Sequence, residues 1–165
     1  MALLDFTTYD DIRASLGVSI DDITDATLSL SLYESSLAAE IDDVDIGIAD
    51  AYADLKDTDP ETLARAELRF VQAVRLFATY AVARQLTAAL PMFGPKEHTD
   101  GKASVTRFSS DPYKETVKKV EEQYGAFRLR LEASFKTLSS SVAAAAPLRS
   151  YMTVSVPVND PVTGS

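Results

Sequence analysis

Apolar positions recur at helical spacing in four separate stretches of this chain, with polar residues between them. In TTYDDIRASLGV, Ile12 and Leu16 lie one turn apart, Thr7 or Thr8 can cap the start, Asp10 and Asp11 suit the positive end of the dipole, and Gly17 ends the pattern. A polar connector, SIDDITDATL, follows. From Ser31 to Lys56, the residues Leu37, Ile41, Val44, Ile48, Ala51 and Leu55 alternate spacings of four and three, which predicts one long helix with a single apolar stripe and a bend at Gly47. Asp59 as cap, Pro60 at the first position and Glu61 behind it predict a third helix over 60–90. Its apolar face is Leu63, Phe70, Val74, Phe77, Ala81 and Leu86, widened by Val71, Ala78, Val82 and Ala89, while Arg65, Arg69, Arg75 and Arg84 take the remaining surface. A fourth helix over 112–140 opens on Asp111 and Pro112. It has the cleanest period in the chain: Tyr113, Val117, Val120, Tyr124, Phe127, Leu131, Ser134 and Leu138, with Phe135 beside them.

Two segments break the helical pattern. Residues 91–111, PMFGPKEHTDGKASVTRFSSD, form a connection of roughly twenty residues with one strand-like piece, and loops of that length in compact domains are usually functional or disordered. Pro147 marks the boundary to the tail, in which Met152, Val154, Val156 and Val158 would share one face of an extended strand, with Thr153 and Ser155 on the other and Pro157 restricting it to an edge. The pattern therefore predicts an all-α fold. Its domain, 1–147, is a four-helix bundle with a long inter-helix loop, and 148–165 is an extended, strand-like C-terminal arm. A strand without an internal mate suits addition to another chain's sheet; the alternative is that each is a loop packing on its own domain, with the tail disordered in solution.

Composition narrows the function classes. With 165 residues and 46% hydrophobic content, the chain can bury a substantial core. It has no Cys, which removes disulfides, thiolate metal sites and thiol nucleophiles together. MALLDFTTYD has no basic region, and no apolar run approaches the roughly 18 residues of a membrane span, so a soluble, unprocessed protein made in a cytoplasm is expected. The net charge of −9 argues against binding nucleic acid by phosphate neutralisation. Charge is also divided along the chain. Residues 1–59 carry fifteen Asp and Glu against Arg13 and Lys56, whereas residues 60–165 carry ten against fourteen Lys and Arg. The two halves either face each other and water within one monomer, or meet between subunits as a head-to-tail contact.

Candidate chemistry is sparse. DDITD, with Asp21, Asp22 and Asp25, has the look of a Mg²⁺-holding motif but falls in a connector, where solvated acids are the simpler reading. EIDDVD continues an amphipathic helix rather than forming a calcium loop, so Glu40, Asp42, Asp43, Asp50 and Asp54 are read as an acidic surface facing solvent, a channel or a neighbour. His98 is the single histidine, which rules out a His-based triad or a two-His metal site within one chain. No nucleophile sits at a strained turn and no Gly-rich loop precedes a helix, so neither an enzyme nor a bound metal or cofactor is expected.

YDDIRASLGVSIDDITDATL resembles the N-terminal segment of head–tail connector (adaptor) proteins of tailed bacteriophages, in which a short helix is followed by an acidic connector and a long helix. DGKASVTRFSSDP, running into the last long helix, is similar to that family's inter-helix loop, and the resemblance spans most of residues 8–138. It implies a structural virion protein of the neck, made in the host bacterial cytoplasm, that assembles as a ring, usually dodecameric, beneath the portal protein. Such a ring extends the channel through which double-stranded DNA passes without specific binding, and docks tail or nozzle proteins. The resemblance places Tyr151, Met152, Val154, Val156 and Val158 as an arm onto the portal, and Lys102, Ser104, Arg107 and Phe108 as contacts to neighbours or the channel. It implies no catalytic residue, cofactor or membrane. The alternative of a different class is a small acidic helical chaperone that escorts one client.

Overall fold

The structure, a computed structural model, describes residues 2–89 and 113–145. It is all-α. A single turn of 3₁₀ helix, Leu3–Asp5, precedes α1 (Tyr9–Leu16), α2 (Asp25–Leu28), α3 (Ser31–Val44), α4 (Ile48–Leu55), α5 (Arg65–Leu86) and α6 (Lys114–Ala145), with no strand among the described residues.

α1 forms where its sequence signals lie. The Thr8 hydroxyl accepts the Asp11 amide at 3.1 Å, and Gly17 ends the helix in the left-handed region at φ 70°, which is nearly free of strain for glycine alone. Thr7 turns inward instead, its hydroxyl 2.6 Å from that of Thr79 on α5.

The helix boundaries differ from the pattern at several points: α2 forms inside the predicted connector, α5 ends at Leu86 with a 3₁₀ turn behind it at Thr87–Ala89, α6 runs on to Ala145, and two further differences have a clear local cause. The stretch 31–56 is two helices, because Asp45 adopts an extended backbone and its carboxylate accepts the Gly47 amide at 2.9 Å. That local bond competes with the helical ladder, as short acidic side chains do. A methyl group at Gly47 would lie 3.1 Å from the Phe135 ring, so glycine at this position makes room for α6. The third predicted helix begins at Arg65 rather than Pro60. Asp59 does cap, but it caps a turn: its carboxylate accepts the Glu61 amide and its carbonyl the Thr62 amide. The helix then starts where the Glu67 carboxylate accepts the Ala64 amide at 2.7 Å.

α5 is the central element and packs against α1, α3, α4 and α6. Phe70, Ala73, Val74, Phe77, Ala78, Ala81 and Val82 are fully buried on it, and the four alanines in 73–83 let neighbouring helices approach closely. Its most extensive contact is with α6. Phe70 meets Phe135, Phe77 meets Tyr124 with ring centroids 5.6 Å apart, and Arg84 meets Glu121, so the two helices run antiparallel. Val120, Leu131 and Leu138 complete the buried stripe of α6. α4 and the N-terminal turn close the other side: Phe6 stacks on Tyr52 at 4.9 Å, and the Tyr52 hydroxyl donates to the Asp5 carbonyl while accepting from Arg75.

Candidate interaction surfaces

Polar side chains at the helix seams are mostly engaged, and this isolates the ones that are not. The Arg13 side chain is buried on α1 and donates to the Ile23 carbonyl, to Asp10 and to Asp25, tying the connector 19–28 to the core. Asp22 is held by the Ser19 amide and hydroxyl. Two of the three DDITD acids thus serve the connector's own shape, and Asp21 is exposed.

The acidic face predicted for 40–54 divides into three kinds of site. Glu40 is not a surface residue of the kind expected: Gln85 donates to its Oε1 at 3.3 Å, and its Oε2 is buried beside α6, where the carboxylate interacts with the Tyr124 phenol. It lies at the seam of α3, α5 and α6, where burial and the Glu40 charge together push the Tyr124 phenol up from its ordinary value. Asp43 is exposed and pairs with Arg128 at 2.7 Å, bridging α3 to α6. Asp42, Asp50 and Asp54 are exposed and form no ion pair among the described residues. Asp50 and Asp54, four residues apart on α4, face solvent as a like-charged pair.

A second surface was less legible. Arg65 and Arg69 on α5, with Arg130, Ala133, Ser134 and Thr137 on α6, line an open groove of about 580 Å³. None of its three arginines forms an ion pair among the described residues. The pattern placed Arg65 and Arg69 on the helix surface, but only the antiparallel packing brings Arg130 beside them. A further groove of about 520 Å³ lies between α1 and α5, lined by Leu4, Thr8, Asp11, Ser15, Arg75 and Tyr80 among others. The loop residues Lys102, Ser104, Arg107 and Phe108, the arm residues Tyr151, Met152, Val154, Val156 and Val158, and His98 lie outside the described residues.

No family model, curated protein or solved structure matches the chain. Among the described residues, no helix is long and apolar enough to cross a membrane.

Three carboxylates among the described residues are set below their usual range by local bonds, and they give stability an acid dependence. The Lys56 ammonium, at 2.7 Å, depresses Asp5, the Ser19 amide and then its hydroxyl depress Asp22, and Lys136 depresses Glu132. The unfolded chain takes up these protons near pH ~4, before the folded chain does, so it binds more protons in that window and stability falls with acid. Urea midpoints are expected to stay level from about pH 7 to about pH 5 and to drop as the pH falls through ~4. Asp5→Asn combined with Glu132→Gln should flatten that drop; an unchanged slope would mean that these pairs do not survive in solution.

Proposed function

We propose that this protein is a head–tail adaptor of a tailed bacteriophage: a virion structural protein of the neck that assembles as a ring under the portal protein, extends the DNA channel and docks tail components. The observation that carries the reading is the separation of unpaired charge on one helical body. Among the described residues, Asp42, Asp50 and Asp54 stand on α3 and α4 without cations, and Arg65, Arg69 and Arg130 stand on α5 and α6 without anions, while Arg13, Lys56, Arg84 and Arg128 are paired. Opposite unpaired surfaces on one subunit favour head-to-tail association, which closes into a ring when the rotation per subunit allows. The net charge of −9 suits a channel that passes DNA without holding it. The order of segments over 8–138 resembles connector proteins, and the alternating segment from Tyr151 to Val158 has the character of an arm that adds a strand to a sheet of the portal. In this reading the domain is a helical bundle whose loop, 91–111, reaches a neighbour or the channel.

Co-elution with the portal protein encoded in the same genome, followed by light scattering, tests it. The full chain is expected to bind in ring-sized stoichiometry, and a chain ending at Pro147 to bind at least about tenfold more weakly, the loss of a few backbone hydrogen bonds and apolar contacts. No complex with the portal overturns the reading. Saturation of a client at one or two copies would instead mark the protein as a chaperone.

A further inference from the structure

The geometry points to a specific contact between copies of this chain: the α4 aspartates Asp50 and Asp54 of one copy seat in the Arg65, Arg69 and Arg130 groove of the next. The inference rests on the ring reading and names the residues that would join neighbouring subunits.

The groove is built to take an anion. Arg65 and Arg69 are one helical turn apart, so two like charges repel along α5, and Arg65 sits in the first turn, where the helix dipole already disfavours a cation. Glu67 offers no relief, because its carboxylate accepts the Ala64 amide. Across the groove, the Ser134 hydroxyl donates to the Leu131 carbonyl and the Thr137 hydroxyl to the Ala133 carbonyl. Their protons are committed, which leaves the guanidinium forks as the side-chain donors lining the opening among the described residues. Guanidinium forks pair with carboxylates in bidentate geometry, and Ala66 and Ala133 keep the groove low enough for a helix to approach.

The occupant is identified by charge and spacing. Asp50 and Asp54 are also one turn apart, a rise of about 6 Å along the axis, and match the separation of Arg65 and Arg69 along theirs. Both are exposed, as is Ala53 between them, so α4 presents a narrow acidic ridge with a small residue at its centre. A nucleic acid would offer phosphates to the same forks, but it would do so against the field of a chain carrying −9. A second copy brings its carboxylates locally while its own arginines remain available to the copy beyond.

The absence of cysteine in the sequence makes the contact directly testable. Ala53→Cys and Ala133→Cys leave every charge in place at exposed helical positions, and circular dichroism checks that each variant keeps its helix content. Mixed under mild oxidation, the two are expected to give a disulfide-linked heterodimer at least about fivefold above the homodimers of either alone. That excess should shrink in about 0.5 M salt, where the Debye length falls to a few ångströms. It should also vanish when Arg65→Glu and Arg69→Glu are added to the Ala133→Cys chain, and return when Asp50→Arg and Asp54→Arg are then added to its partner. A chain carrying both cysteines should form a ladder of oligomers. No heterodimer excess, an excess indifferent to the arginines, or a ladder that stops at the dimer overturns the contact. Binding of duplex DNA, read by fluorescence anisotropy and lost in the Arg65→Glu/Arg69→Glu variant, would overturn it in favour of phosphate. The two readings fail separately: heterodimer without portal binding keeps the contact and removes the adaptor, whereas ring-stoichiometry binding by the arginine variant keeps the adaptor and removes the contact.

Discussion

Phe77→Ala is expected to cost about 3–5 kcal/mol of folding stability, a loss as large as any expected from a single side chain at the α5–α6 seam. Phe77 is fully buried at the middle of α5, and its ring meets Tyr124 at 5.6 Å. Truncation removes the transfer free energy of the ring, together with an aromatic contact worth about 0.5–1.5 kcal/mol beyond its area. It also leaves a void that the surrounding alanines cannot fill: Ala73, Ala78 and Ala81 have no rotamers with which to move in. The measurement is a urea titration followed by circular dichroism, with the midpoint lowered and the slope against denaturant unchanged. A loss below about 1 kcal/mol would mean that α5 and α6 do not form the central packing of the protein in solution.

Arg13→Met is expected to lower Tm by roughly 5–10 °C, although the position lies on a short helix at the edge of the core. Methionine reproduces much of the aliphatic stem, so the change isolates the guanidinium. That group closes three bonds, to the Ile23 carbonyl at 2.8 Å, to Asp10 at 2.9 Å and to Asp25. Without it the Ile23 carbonyl loses its partner, and the connector between α1 and α2 loses the tie that places Ile23 and Leu28 in the core. Hydrogen exchange should show the loss locally, with protection falling for amides between Ile23 and Ser29 while the centre of α5 keeps its own until global unfolding. Arg13→Lys should recover only part of the stability, because one ammonium cannot reproduce a planar fork directed at three acceptors. Uniform loss of protection across the molecule would place Arg13 in the global core rather than in a local clasp.

The charge pattern and the packing bear on each other in the same way. Asp43 and Asp50 look equivalent along the chain, yet Asp43 is consumed by Arg128 within the subunit and Asp50 is left outward. The proposed contact between copies uses only charges without an ion-pair partner among the described residues.

Where helices form was largely written in the sequence. The caps and period of α1, the apolar face of α5 and the stripe Val120, Tyr124, Leu131 and Leu138 of α6 follow from local spacing, because burial on a helix repeats with the turn and needs no knowledge of the partner. The all-α class follows from the same periodicity. Tertiary structure alone decided the rest. Asp45 leaves the ladder between α3 and α4 through its bond to Gly47, and the space that Gly47 leaves is taken by the ring of Phe135, far away in the chain. Glu40 reads as one more acid on a polar face until Gln85 and Tyr124 close over it. Arg13 is only one of two cations in an acidic half until the connector folds back to offer it Ile23 and Asp25. Arg65 and Arg69 become a groove only because α6 returns antiparallel and brings Arg130 alongside. Apart from the local Asp45–Gly47 bond, the deciding partner lies on another element, and spacing within one helix specifies a face while leaving open what that face will meet.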